Sequence, residues 1–299
     1  MCPYSIPSVT KLITSPDCAI LVVSCDAYSD LWTPFFTLLH RHWPDRPFPL
    51  YLGAGELTYP NPAVQMLRSN AGRDWSQCVI DYLDNLPHRY VLIMLDDFFL
   101  RRQVPTSTIL NCLEFALAAQ ATQLRLIPRP RPTDHLRGEK LIGSSAAGSP
   151  YRLSTQAAIW DRKKLRALLR PGETIWEFER NGNARAALHA GGYYSVKNSV
   201  LPYEDFWTHH VVEKGKWLPQ QKRIFARLNI GCDFSKRETL PWTEVAFLHL
   251  VQIIDALLQV LPWRTSIRVK RVLKFMLRPF FRNALDKLGQ TPSASRPNS

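Results

Sequence analysis

The run YVLIML at residues 90–95, which passes directly into Asp96 and Asp97, decides how this chain is read. Six consecutive apolar residues without helical spacing predict a strand buried on both faces, the kind found in parallel sheets. Open α/β sheets bind ligands in the crevice beyond the carboxyl ends of their strands, where this acid pair falls. Two adjacent carboxylates repel each other unless a cation or hydrogen-bond donors offset the charge. A divalent metal held by one carboxylate and by substrate phosphates suits such a place. A strand-ending aspartate also serves as a turn former, which is the competing structural role.

Working outward, CAILVVS at residues 18–24 predicts a second buried strand. Ser29 or Asp30 then caps a helix carrying Leu31, Phe35, Leu38 and Leu39, which Pro44 ends. A strand over 49–52 follows, then a helix capped by Asp74 with Trp75, Val79, Tyr82, Leu83 and Leu86 on its apolar face. Beyond the acid pair come a helix starting near Pro105, a strand over 124–127, a strand over 152–160 and a short helix capped by Asp161. This alternation predicts an α/β fold, a mostly parallel sheet flanked by helices on both faces, with a C-terminal helical tail. The expected divisions are an irregular segment 1–17, a catalytic domain 18–240, an amphipathic basic helical tail 241–289 and a disordered end 290–299.

Hydrophobic residues make up 45% of the 299, with nine tryptophans, enough for a full core. The net charge of +13 is unevenly placed: nine Lys or Arg against Asp286 from Trp263 onward put +8 in the tail and leave +5 for the body. An anionic membrane surface fits that distribution better than a nucleic-acid channel, so no nucleic-acid partner is expected. Val at 245 to Leu at 261 is too polar and too short to span a bilayer and reads as an amphipathic helix. In 267–285, Val269, Leu273, Met276 and Leu277 form a stripe among Lys and Arg, suited to lying in an anionic headgroup region or to docking on the domain. Six isolated cysteines, without a C-x-x-C pair, read as buried reduced thiols. Pro3, Pro7 and Pro16 interrupt the N-terminus, which lacks the form of a secretory signal, and a cytoplasmic location, peripheral on the inner membrane face, is expected.

The strand ending at Ser24–Asp26, the step YVLIMLDDFFL, and YRLSTQAAIW followed by RPGETIWEFE together resemble the A-fold glycosyltransferases of bacterial polysaccharide assembly, in the nucleotide-diphospho-sugar transferase superfamily, over residues 18–220. The resemblance implies transfer of a hexose-type sugar from a nucleoside diphosphate donor to a hydroxyl of a glycan or lipid-linked acceptor, with inversion. It implies that Asp96 and Asp97 hold a divalent metal, Mn²⁺ or Mg²⁺, and the donor diphosphate, although these acids are adjacent where the family spaces them. Asp26 falls where such enzymes contact the base or ribose. Glu177, beside Trp176 and Phe178, falls where they place the acceptor-side base, with Glu179 and the Glu204–Asp205 pair as alternatives. Arg129 and Arg131, with Arg137 and Lys140, lie on an Arg/Pro segment that can offset charge on a departing diphosphate. A Gly/Ser/Ala stretch at 143–149 reads as a mobile loop over the site.

Two other readings stay open. A sugar nucleotidyltransferase also uses acids at a sheet edge, but the chain has no Gly-rich, Lys-containing N-terminal loop. A membrane-associated scaffold would make the acids structural. No G-x-x-x-x-G-K-[ST], G-x-G-x-x-G or G-x-S-x-G occurs. His40 and His42 point to different helix faces, and His209–His210 lack a third ligand at useful spacing.

Overall fold

The computed structural model describes residues 17–70, 72–149, 151–188, 192–203 and 210–258, with the isolated positions 265 and 269. The chain divides into two compact units, Met1–Val245 and Ala246–Ser299.

The first unit alternates as the apolar runs demand: β1 (Cys18–Val23), α1 (Ser29–His42), β2 (Leu50–Ala54), β3 (Val64–Arg68), α2 (Trp75–Asp84), β4 (Tyr90–Leu95), α3 (Thr106–Ala118) and β5 (Gln123–Arg125). A hairpin of β6 (Asp134–His135) and β7 (Ile142–Ser144) precedes β8 (Ala158–Asp161), α4 (Arg162–Leu168), α5 (Ile175–Leu188) and β9 (Tyr193–Val196). A small ribbon, β10 (Val212–Glu213) with β11 (Lys216–Trp217), leads to α6 (Gln220–Leu228). Helix α7 (Trp242–Leu258) begins in the first unit and continues into the second.

Among the described residues, nine strands form one sheet in the order β3-β2-β1-β4-β8-β5-β9-β7-β6. β8 and β7 run opposite to the rest, which makes the sheet mostly parallel in direction. Alternation along β1 shows why both faces are covered. Cys18, Ile20 and Val22 pack with Leu31, Phe35, Phe36 and Leu39 of α1 and with Ile109 and Leu113 of α3. Ala19, Leu21 and Val23 pack with Val79 and Leu83 of α2, Leu165 of α4 and Phe178 of α5. Each of these large side chains, removed from water, contributes about 2 kcal/mol. Gly53 in β2 is required by close approach: a Cβ there would run into the Tyr82 ring of α2.

Asp74 and Asp161 cap their helices as expected, accepting from the amides of Gln77 (2.9 Å) and Lys164 (3.1 Å). Three elements differ from expectation. The strand expected over 152–160 is confined to Ala158–Asp161, because Ser154 and Thr155 are tied to Glu179 and Arg152 to the Ser145 carbonyl. β3 is an edge strand whose burial does not alternate, with Val64 and Leu67 buried and Gln65 and Arg68 exposed, so its short pattern carries no strand signal. Helix α5 contains Gly182, Asn181 and Asn183, poor helix formers, and its start is secured by Thr174 and Glu177. Of the described cysteines, Cys18 and Cys112 are buried thiols, Cys78 and Cys232 are partly covered, and Cys25 is exposed, contrary to its expected burial. The tail stripe of 267–285 and the end 290–299 lie outside the described residues, apart from position 269.

Candidate active site

Strand order reverses direction at β1, with β2 and β3 on one side and β4 on the other. Val23 and Leu95 are register partners, so Ser24–Asp26 and Asp96–Asp97 leave the sheet side by side. This is the switch point at which open α/β sheets form their ligand crevice.

Asp96 is 5% exposed. The Ser24 hydroxyl donates to its Oδ2, and Ser24 Oγ in turn accepts from Trp32 Nε1 at 2.7 Å. Burial first, then the neighbouring Asp97, push the Asp96 carboxyl well above the usual carboxylate range. Asp97 is pushed to about 6 by burial, with His210 and Arg237 opposing the shift. The Asp97 carbonyl accepts from the Val211 amide at 2.8 Å, which brings the start of the β10–β11 ribbon against the acid pair. There His210 Nε2 lies 2.8 Å from Glu213 Oε2, and Phe98 sits between the rings of Tyr203 (5.4 Å) and His210 (6.0 Å). Burial opposes the charge on His210, but Glu213 and Asp97 outweigh it and its pKa is raised. Sequence spacing hid His210 and Glu213, since only the pairing of Val211 with Asp97 carries them to the site.

A fixed cation stands behind this cluster. Arg237 grips Asp30, donates to the Ala27 carbonyl at 2.6 Å and stacks over Tyr28 at 4.1 Å. The adjacent Asp26 is committed locally: Oδ1 accepts from the amides of Gly55 (3.0 Å) and Leu57 (3.3 Å), and Oδ2 from Glu56 (2.7 Å). Arg68 holds the other side of the same loop through the carbonyls of Gly55 and Leu57 and the Thr58 hydroxyl. Asp26 therefore shapes the loop beside the crevice.

The acids expected at the acceptor side occupy different surroundings. Glu177 closes a capping box at the start of α5: its Oε2 accepts from Thr174 N and Oγ1, both at 2.8 Å, bonds that lower its pKa. Glu179 is 7% exposed, and its Oε1 accepts from Thr155 N (2.6 Å), Thr155 Oγ1 (2.8 Å) and Ser154 Oγ (3.2 Å). Glu204 and Asp205 lie outside the described residues. The described residue before that gap, Tyr203, bridges to Leu100 and packs on Phe98, and the one after it is His210. Arg129 is half-buried and Arg131, Arg137 and Lys140 are exposed, on the segment that leaves β5 at the same edge of the sheet. The Gly/Ser/Ala stretch is anchored, not loose: Arg152 Nε holds the Ser145 carbonyl at 3.1 Å and Asn183 the Ser149 carbonyl at 3.1 Å.

Among the described residues, no three His, Cys, Asp or Glu side chains are grouped so as to hold a metal ion. The acid pair nevertheless offers two adjacent carboxylates at the crevice, Asp96 buried and Asp97 half-buried, whose mutual repulsion a cation would relieve.

Fold and site thus define an α/β protein with an acidic switch-point crevice. No protein-family model matches the sequence, and no curated protein matches it significantly. Among solved structures, S. aureus TarS 1–349 is similar at a TM-score of 0.44 and 14% identity, over 91% of this chain and 87% of that one. The complex of the same TarS region with UDP aligns at 0.44 and 13%, covering 62% of this chain and 59% of that one. The bifunctional IspDF of Campylobacter jejuni aligns at 0.35 and 10%, over 59% and 48%.

Proposed function

We propose that this chain is a glycosyltransferase that moves a sugar from a nucleoside diphosphate donor to a hydroxyl of a glycan or lipid-linked acceptor, with inversion. The observation that carries the reading is the adjacent pair Asp96, buried, and Asp97, half-buried, at the sheet's switch point, whose mutual repulsion a cation would relieve. A divalent metal, Mn²⁺ or Mg²⁺, held by these acids would neutralise the diphosphate. Ser24, fixed by Trp32, orients Asp96, and Arg237 adds a permanent positive charge behind the pair.

In the reaction, the bond from the anomeric carbon to the diphosphate oxygen breaks while the acceptor oxygen bonds to that carbon from the opposite face. The acceptor proton passes to a carboxylate. Of the acids expected there, Asp205 is taken as this carboxylate, since Glu177 and Glu179 are engaged elsewhere; the described residues on either side of 204–209, Tyr203 and His210, both pack on Phe98. Glu177 serves as a helix cap and Glu179 is enclosed by Ser154 and Thr155. Asp26 contributes through the loop it holds, and Arg129 and Arg131 offset charge on the leaving diphosphate.

The acceptor side includes an anionic membrane surface in this reading, supported by the +8 of the sequence from Trp263 onward. On α7, Leu250, Ile253 and Leu257 are exposed at helical spacing, and no helix among the described residues is long and apolar enough to cross a membrane. Incubating the protein with nucleotide sugars and membrane lipid extract, and identifying the released nucleotide, tests the activity. A nucleoside diphosphate supports transfer, and pyrophosphate released from a nucleoside triphosphate and a sugar phosphate supports nucleotidyl transfer.

A further inference from the structure

We propose that the acceptor is an anionic glycan held by the face that the last turn of α1, the segment 101–104 and α6 form together, an assignment that rests on the transferase reading above. Arg41, Arg102, Lys222, Arg223 and Arg227 are exposed on that face. Among the described residues, none of the five is paired with an acid. The stretches 38–44, 98–105 and 218–232 contain no Asp or Glu, and Asp45, Asp97 and Asp233 stand only at their borders.

Contacts between the three segments make them one surface. Arg41 Nη1 donates to the Leu228 carbonyl at the end of α6 at 3.1 Å, and Gln103 Nε2 to the Arg41 carbonyl at 3.2 Å. The Val104 amide donates to the His42 carbonyl at 2.9 Å, and Arg101 Nη2 to Gln221 Oε1 at 2.6 Å. Beneath them Phe99 stacks on Phe225, with centroids 5.5 Å apart, and meets Phe35 of α1 at 6.1 Å. Lys222 to Arg227 covers only about 8 Å along the helix axis. Elsewhere exposed cations do meet acids, as Arg166 meets Asp84 at 2.9 Å and Lys216 meets Glu238 at 2.6 Å. Five like charges left together repel one another in the folded chain and concentrate anions at its surface.

The patch lies on the same side of the sheet as the acid pair. Ser24 holds Asp96 and is itself held by Trp32 of α1, the helix whose Phe35 packs beneath the patch. Arg102 follows Asp97 by five residues, which is at most about 18 Å of extended chain. A glycan with its reacting hydroxyl at the crevice therefore reaches the patch with a short run of further sugars. Four of the five cations are arginines, whose planar forks match carboxylate and phosphate groups with paired hydrogen bonds. A bilayer fits less well, because none of the exposed large hydrophobic side chains lies on these segments to anchor in it.

Calorimetry on the full chain with hexagalacturonate and its neutral counterpart maltohexaose reads the glycan side, calorimetry with nucleoside diphosphates the donor side, and sedimentation with phosphatidylglycerol vesicles the membrane. Wild type is expected to bind hexagalacturonate, more weakly as salt rises, and to bind maltohexaose less. The triple variant Arg102→Gln, Arg223→Gln, Arg227→Gln should bind hexagalacturonate about tenfold more weakly. It should keep nucleotide binding and vesicle sedimentation and melt no lower than wild type, since it loses only repulsion. Removing as many charges from the tail, in Arg268→Gln, Lys270→Gln, Arg271→Gln, should leave hexagalacturonate binding unchanged. Equal affinity of wild type for the two hexamers overturns the assignment, as does undiminished binding by the first triple variant, a lowered melting temperature in it, or an equal loss in the tail variant. Loss of vesicle sedimentation in the first triple variant assigns the face to the membrane and overturns it too. A wild type that binds no nucleotide defeats the transferase reading, and the acceptor role with it.

Discussion

Arg237 holds Asp30 across 207 residues of chain, with Nε 2.7 Å from Oδ2 and Nη2 2.8 Å from Oδ1. Both side chains are nearly enclosed, at 9% and 2% exposure. The pair fixes the turn after β1 against the segment that follows α6, and the Arg237 charge acts on both acids of the crevice. Removing one partner of a buried pair leaves the other charge without compensation, at a cost of ~3–5 kcal/mol. Arg237→Ala is expected to lose about that much in denaturant unfolding. Arg237→Lys keeps the charge but loses the paired geometry, and falls between wild type and Ala.

Asp97 gives the fold a pH signature. Its folded-state pKa, about 6, lies above the ordinary 3.8, so between those values the folded protein binds more protons at this group than the unfolded chain. Its contribution to stability therefore falls as pH rises through that window. Asp97→Asn removes this dependence. The variant should exceed wild type by roughly 1–3 kcal/mol at pH 7, and the difference should shrink toward pH 4, as measured by urea unfolding across the range. A gap that does not change with pH contradicts the assignment.

The acceptor-side acids separate by phenotype. Asp205→Asn is expected to abolish sugar transfer while leaving nucleotide binding intact. Glu177→Gln, which weakens a surface cap, should retain most of its turnover. Glu179→Ala leaves the Arg125 guanidinium buried without its balancing charge and should lower stability by ~3 kcal/mol. Parallel measurement of turnover, nucleotide affinity and melting on the three variants decides among them.

Gly53→Ala brings a methyl group into the ring of Tyr82, both being in the core between β2 and α2. Overpacking of this kind costs about 1–3 kcal/mol, and the double variant with Tyr82→Leu should recover part of it in thermal melts.

Deleting residues 263–299 removes nine basic side chains. Sedimentation with phosphatidylglycerol vesicles should drop to the level seen with neutral vesicles, while nucleotide binding to the truncated chain stays unchanged. Full vesicle binding by the truncated protein contradicts the membrane role of this segment.

Much of the fold was legible because its strongest signals are local. YVLIML needs no partner information to be read as a buried strand, and Asp74 and Asp161 announce their helices by capping chemistry. β3 and α5 were not legible: one is short and half-polar, and the other carries Gly and Asn where its stability comes from a cap and from Phe178 packing on Trp75. At the site, the acid pair could be read from a single strand end. The roles of Trp32, His210, Glu213 and Arg237 depend on contacts made far along the chain, such as Val211 with Asp97, and no local pattern encodes those.

Whether Asp96 and Asp97 form a metal-dependent nucleotide site is decided by calorimetry of nucleoside diphosphates and nucleotide sugars with and without Mn²⁺ or Mg²⁺, on wild type and Asp97→Ala. Metal-enhanced binding of one nucleotide by wild type, lost in a variant that remains folded, is the expected result. Absence of binding by any nucleotide to the folded wild type, or equal binding by the variant, would contradict it.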